Sequence, residues 1–337
     1  MPITAGIDLG GTAINYTLLG DDGAFLIEEL FECPARAQEG PDVCLAQIAE
    51  GLGRAAASVN VPLQSIAAVG LATPGPASRH GVLSARGSTN FVHRGWAGYD
   101  LRGALGERLG LPVTYLNDGN AAALWGHYVL FGAGALASSV TAVIGTGLGG
   151  GVIVDGRVVT GTHGFGGELG HVLVPYTEIP GAEGLTPRCN CGRVGDLESL
   201  CSLTAIRESL LPHHLQRQPS HQLAGLEPGA AARQVRALAE AGDSLCRSIF
   251  RVQARALGLF FDQMVNVFDP DALIVGGGAV ETEPEFQRWF VGEIRLGMPS
   301  PREEQASIPV QVMPNGDKAG ARGAAIAAAG VLSQPAP

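Results

Sequence analysis

Two stretches of this chain pass from an apolar strand through a glycine corner into a second strand, and that repeated opening limits the available folds more than any other feature. The first runs from Ile3–Leu9 through Gly10-Gly11-Thr12 into Ala13–Leu19. The second runs from Ser139–Ile144 through Gly145-Thr146-Gly147-Leu148-Gly149-Gly150-Gly151 into Val152–Val154, the turn Asp155-Gly156 and a strand at Arg157–Thr160. Their recurrence predicts two related halves, with a ligand cleft between them. Five glycines in the seven positions 145–151 cost unfolded-chain entropy unless the backbone must bend or come close to something. Neither turn fits G-x-x-x-x-G-K-[ST] and neither leads into a helix, which argues against a P-loop and a dinucleotide fingerprint. Main-chain N–H groups without side-chain bulk suit a phosphate, although an ordinary tight hairpin would use the same residues.

Between and after these openings, strands alternate with helices, as in an α/β protein. A third strand is predicted near Ala24–Phe31, a helix from Pro41 to about Val59 and a strand at Ser65–Leu71. Thr73–Asp100 is a long, glycine- and proline-bearing loop, of the length that often carries function. After a helix at Asp100–Leu109, the strand Val113–Leu116 delivers Asn117-Asp118-Gly119-Asn120 to an alanine-rich helix. There the helix dipole favours an ionised Asp118, which could accept a proton from a hydroxyl attacking a phosphoryl centre. Helix capping is the alternative use of Asn117 and Asp118. Leu203–Val267 has helical periodicity with a polar break at Pro212–Gly229. The strand Asp271–Val275 ends in Gly276-Gly277-Gly278, and Asn315–Ala324 opens a terminal helix that ends near Gly330.

At 337 residues the chain is long enough for about two domains with cores of their own. Its 22 basic against 32 acidic side chains give a net charge of −10, which argues against nucleic acid or an anionic membrane as a partner. The six cysteines, at 33, 44, 189, 191, 201 and 246, do not form a disulfide framework and favour a reducing, cytoplasmic setting. The first residues lack the basic and apolar regions of a secretory signal, so we expect no cleavage or export. Phe131–Val154 is uncharged and long enough to span a bilayer, but its glycines read better as strand, turn and strand.

One insertion carries metal-binding chemistry. Gly166-Gly167-Glu168-Leu169-Gly170-His171 sets a carboxylate and an imidazole three residues apart among glycines, suited to polyol hydroxyls. Cys189-Asn190-Cys191-Gly192-Arg193-Val194-Gly195-Asp196 follows. His171, Cys189 and Cys191 are three candidate zinc ligands, and Asp196 is a chemically acceptable if harder fourth. Cys201 falls on the following helix and is disfavoured. A reduced, metal-free loop is the plain alternative.

Taken in order, these motifs resemble the ROK family of bacterial sugar kinases and sugar-responsive repressors, within the actin-like, RNase H-like ATPase superfamily. The resemblance rests on Asp8-Leu9-Gly10-Gly11-Thr12, Asn117-Asp118-Gly119-Asn120, Gly145–Gly151, Gly166–His171, Cys189-x-Cys191-Gly192-x-x-Gly195, Gly276–Gly278 and Gly316-Asp317-x-Ala319-Gly320-x-x-Gly323-Ala324. It implies a two-domain actin-like α/β fold, with a small domain at 1–118 plus 318–337 and a large domain at 119–317 carrying a zinc insertion near 171–196. It implies ATP held by Asp8, Gly10, Gly11, Thr12, Gly145, Thr146, Gly147, Gly276, Gly277 and Gly278, with Mg²⁺ on the phosphates. Asp118 would deprotonate the sugar's primary hydroxyl. Asn117, Glu168, His171, Glu198 and Asn90 would orient the pyranose, while Gly75 and Pro76 shape the entry loop. Zinc would be structural, and the assembly a homodimer. Asp196 stands where the family carries a third cysteine.

The resemblance points first to an ATP-dependent glucokinase, with domain closure excluding water from the reaction. Kinases of N-acetylglucosamine, N-acetylmannosamine, mannose and fructose share the motifs, and polyphosphate is an alternative donor. A sugar-sensing repressor would need a DNA-binding helix-turn-helix ahead of the first strand, where only five residues precede Gly6, and a less acidic surface. An actin-like chaperone or filament protein would have no use for Glu168-x-x-His171 or the cysteine loop.

Overall fold

The computed structural model describes residues 2–84, 90–299 and 302–332. The chain forms two compact units, residues 1–136, 151–167 and 317–337 in the first and 137–150 and 168–316 in the second.

The first unit holds β1 (Ile3–Leu9), β2 (Ala13–Leu19), β3 (Phe31–Pro34), α1 (Pro41–Ser58), β4 (Ile66–Thr73), α2 (Leu101–Leu109), β5 (Val113–Asn117) and α3 (Asp118–Phe131). The chain continues into β6 (Ser139–Ile144), β7 (Leu148–Val154) and β8 (Arg157–Val158). The first sheet has the order β3-β2-β1-β4-β5, antiparallel through β1–β2–β3 and parallel through β1–β4–β5. Successive strand residues point to opposite faces, and β1 and β4 sort their residues accordingly. Ala5, Ile7, Leu9, Val69 and Leu71 join one core with Ile48 and Leu52 of α1 and Leu101 and Leu105 of α2. On the opposite face, Thr4 Oγ1 donates to Ala325 O (3.1 Å), and Ala72 packs with Leu116, Ala121 and Ala324.

That second face is built for close approach by a late helix. A Cβ on Gly6 would meet the carbonyl of Ala321, one on Gly70 the carbonyl of Ala324, and one on Gly323 the carbonyl of Ala121 in α3. Small residues on the strands and helices thus let backbone pack on backbone. Because α3 belongs to this packing, the first unit extends beyond residue 118, to 136.

The second unit holds α4 (Glu198–Cys201), α5 (Leu203–Ala205), α6 (Leu211–Arg217), α7 (Pro228–Glu240), α8 (Ser244–Phe268), β9 (Ala272–Gly276), α9 (Pro284–Leu296), α10 (Glu303–Ala306) and β10 (Val310–Val312). The late helix of the first unit, α11 (Ala319–Leu332), follows. The second sheet runs β10-β9-β6-β7-β8, parallel through β10–β9–β6 and antiparallel at β7–β8. Its long helix α8 is capped by Asp243, which accepts the Cys246 N–H (2.9 Å), and buries Phe250, Phe260 and Phe261.

Three local expectations are corrected. Residues 24–30 form no extended strand beyond a single bridge at Leu19–Phe25, and β3 starts at Phe31. Phe25 instead packs edge-on against Trp125 (5.5 Å) beneath the Arg322 guanidinium (4.7 Å). β7 starts at Leu148, so Gly149–Gly151 are strand and the turn is only Gly145–Gly147. A Cβ on Gly150 would strike the Thr141 carbonyl of the neighbouring strand, which accounts for glycine inside a strand. The helical run also continues past Pro212 to Arg217, where a π-helical turn at Ile206–Leu210 leads directly into α6 and takes up the proline. Among the described residues no helix is long and apolar enough to cross a membrane. Phe131–Val154 resolves into the last residue of α3, then β6 and β7.

Candidate active site

In each unit the glycine turns lie at the carboxyl ends of parallel strands, where open α/β sheets bind ligands. In the first unit, register pairs Asp8 with Ala72, Ala72 with Leu116 and Thr73 with Asn117. This alignment brings the Gly10–Thr12 corner, the start of the long loop and the Asn117–Asp118 junction to one edge. Gly10 N–H donates to Ala13 O (2.9 Å), closing the corner. A Cβ on Gly11 would come within 2.6 Å of Asn90 Oδ1, so Asn90 lies on that corner. The peptide bond between Gly75 and Pro76, at the start of the loop, is cis. Asn117 caps α3, accepting the Asn120 N–H at Oδ1 (2.7 Å), while Asp118 Oδ1 accepts the Gly119 N–H (2.7 Å). Capping of α3 therefore falls to Asn117 and not to Asp118.

Asp8 sits under α11, where a Cβ on Gly320 would be 2.6 Å from its Oδ2. Burial, reinforced by the Asp118 charge and opposed by the Asn15 hydrogen bond, raises its pKa to about 7. Unfolded aspartate titrates near about 3.9. Between that value and about 7, the unfolded chain ionises while the folded one keeps its proton, so this group's contribution to stability falls as pH rises. Asp8→Asn is accordingly expected to raise the melting temperature of the ligand-free protein at about pH 8, and to leave it unchanged at about pH 4. Equal shifts at both pH values in thermal melts would contradict this.

In the second unit, β6 and β9 run parallel with Val143 opposite Gly276, bringing the Gly145–Gly147 turn and Gly276–Gly278 to one edge. Gly145 N–H donates to Gly147 O (2.9 Å). Gly277 has φ 88°, a left-handed conformation suited to glycine, and a Cβ there would strike Ile144 O. Arg236 of α7 donates from Nη1 to Gly278 O (2.8 Å), a tether with no local sequence signal. Glu168 precedes a single 3₁₀ turn, Leu169–His171, and is exposed. Glu198, at the start of α4, reaches back to the glycine turn, where its Oε2 accepts the Leu148 N–H (2.9 Å).

The zinc candidates converge. One ligand atom from each of His171, Cys189, Cys191 and Asp196 lies within 4.8 Å of all the others. His171 Nδ1 is 3.2 Å and Cys191 Sγ 3.3 Å from Asp196 Oδ2, and Cys189 Sγ is 3.8 Å from His171 Nδ1. Tetrahedral zinc with bonds of about 2.0–2.3 Å has ligand–ligand edges of about 3.3–3.8 Å, so the set fits. The loop is shaped by Cys189 N–H donating to Arg193 O (2.9 Å) and Gly192 N–H to Cys189 O (2.9 Å). Burial pushes the Asp196 pKa up. Hydrogen bonds from Cys189, the Ser199 N–H, His171 and Cys191 outweigh that and hold the carboxyl below its ordinary value. Cys201 instead bonds Gln253 O (3.2 Å), outside the cluster.

Two α/β units, each carrying glycine turns and polar residues at the carboxyl edge of its sheet, define an actin-like ATPase fold. The chain belongs to the ROK family, which it matches over residues 4–330. A glucokinase of Thermotoga maritima is 33% identical over 277 residues, covering 81% of each chain. Among solved structures, a ROK hexokinase from Thermus thermophilus superposes with a TM-score of 0.76 at 30% identity, covering 98% of this chain and 99% of the other. A ROK family glucokinase from Streptomyces griseus, in complex with glucose and AMPPNP, gives 0.70 at 28% identity, covering 97% and 99%.

Proposed function

We propose that the protein transfers the γ-phosphoryl group of ATP to the 6-hydroxyl of a hexose, glucose foremost, with Asp118 as the general base. The observation that carries this reading is the position of Asp118, on the first residue of α3 and close enough to Asp8 for the two charges to interact. A base at that point can accept the proton of an attacking hydroxyl while nearby main-chain donors hold the phosphates. The first unit would supply Gly10, Gly11 and Thr12 for ATP, and Asn90 and Asn117 for the sugar beside the Gly75–Pro76 loop. The second would supply Gly145, Thr146, Gly147 and Gly276–Gly278 for ATP, and Glu168, His171 and Glu198 for the pyranose hydroxyls. Asp8 would hold magnesium, which would supply positive charge to offset that of the phosphates.

A coupled assay across glucose, mannose, fructose, N-acetylglucosamine and N-acetylmannosamine, with ATP or polyphosphate, tests the reading. Turnover of glucose with ATP above every other pair is expected. No phosphorylation of any of them would overturn it.

We further propose a structural zinc held by His171, Cys189, Cys191 and Asp196, which would fix the loop presenting His171 and Glu198. Metal analysis of protein purified without chelator should find about one zinc per chain. Removing the metal should lower the melting temperature, since a ligand that binds only the folded state stabilises it. Metal no higher than background would refute this site while leaving the sugar kinase reading intact.

A further inference from the structure

The second glycine turn is held by one short run of chain. Leu203 N–H donates to Gly145 O (2.9 Å), and Thr204 donates to Thr146 O from both its N–H (3.2 Å) and its Oγ1 (2.8 Å). Glu198 Oε2 accepts the Leu148 N–H (2.9 Å). The peptide unit is planar and trans, so each carbonyl points opposite to the N–H that follows it. Anchoring the carbonyls of 145 and 146 on residues 203–204 therefore turns the N–H groups of Thr146 and Gly147 the other way, as donors fixed in advance. A Cβ on Gly147 would lie 2.5 Å from Glu198 Oε2 and would have to displace that carboxylate.

The same run starts where the cysteine cluster ends. Asp196 Oδ1 accepts the Ser199 N–H (3.0 Å) and Asp196 O accepts from Ser199 Oγ (2.7 Å). Cys189 Sγ donates to Glu198 Oε1 (3.4 Å). Glu198 thus has one oxygen on the glycine turn and the other on a thiol of the cluster.

We infer that residues 198–204 form a clamp that sets the phosphate-binding conformation of the second glycine turn, making Glu198 and Thr204 positioning residues for nucleotide affinity. The cysteine cluster then acts on ATP as well as on the sugar. This rests on the kinase reading of that turn. Preorganised main-chain donors bind an anion without first reordering the loop, so loosening the clamp weakens nucleotide binding before it alters chemistry.

The test is calorimetric titration of a magnesium complex of a non-hydrolysable ATP analogue without sugar, and of glucose without nucleotide, with melting curves to verify folding. Thr204→Val should raise the nucleotide Kd by about three- to tenfold, the range of one lost hydrogen bond, and leave the glucose Kd within about twofold. Thr204→Ser should restore wild-type nucleotide affinity. In steady state, Thr204→Val should raise KM for ATP with kcat little changed. Glu198→Ala, which removes the acceptor for the Leu148 N–H, should weaken both ligands, and it carries the test if Thr204→Val fails to fold. Unchanged nucleotide affinity in Glu198→Ala, or in a folded Thr204→Val, overturns the clamp while a wild-type protein that phosphorylates glucose upholds the kinase reading. A wild-type protein that neither binds the analogue nor phosphorylates a hexose overturns both.

Discussion

Asp118→Ala is expected to lower kcat for sugar phosphorylation by about 10²–10⁴-fold, the usual worth of a positioned general base. The effect should fall on kcat, because the candidate sugar contacts Asn90, Asn117, Glu168, His171 and Glu198 are untouched and the glucose Kd should stay near that of the wild type. Its orientation is enforced locally, since the Gly119 N–H holds Asp118 Oδ1 at 2.7 Å and Asn117 relieves it of capping α3. Asp118→Asn separates charge from shape. It keeps the acceptor for Gly119 but cannot take a proton, so it should lose activity as fully as alanine. Either variant retaining more than about a tenth of wild-type kcat would remove Asp118 from the role of base.

Gly323→Ala is expected to destabilise the protein by about 3 kcal/mol or more, the upper range for overpacking a close contact. Gly323 meets the backbone carbonyl of Ala121, and no rotamer can relieve a clash between a methyl group and main chain. Helix α11 would have to lift from α3, and with it from Gly6 and Gly70 on the strands below. In a protein of this size, that loss corresponds to a fall in melting temperature of about 4 °C or more. Activity should fall as well, since Gly320 on α11 lies against Asp8. A shift smaller than about 2 °C would mean that the helix has room to move and that the close packing is not needed.

Much of this was legible in sequence because the relevant signals are local. The Gly10–Thr12 corner between two apolar runs, Asn117-Asp118 ahead of an alanine-rich helix, and the His171–Asp196 spacing each identify themselves within a few residues. What was missed depends on distant partners. Gly149–Gly151 look like turn residues until Thr141 is known to lie against Gly150. The Glu198 bond to Leu148 spans 50 residues, and the opposition of Asp8 and Asp118 follows only from the pairing of β1, β4 and β5. Ala24–Phe31 carries strand-forming residues, yet Phe25 is drawn to Trp125 and Arg322 instead. Tertiary packing there overrides intrinsic preference.

The hydrogen bond from Thr4 to Ala325 joins residues 321 positions apart, and it has a bearing on biosynthesis. A chain emerging from the ribosome starts its first sheet early, but α11, which roofs one face of that sheet, is translated only after the whole of the other unit. Residues 168–316, by contrast, form most of the other unit as one continuous stretch and can collapse as soon as they are out. The unit begun first is therefore completed last. A nascent chain stalled at residue 316 would expose the bare glycine floor of β1 and β4, an apolar surface open to chaperones until α11 arrives.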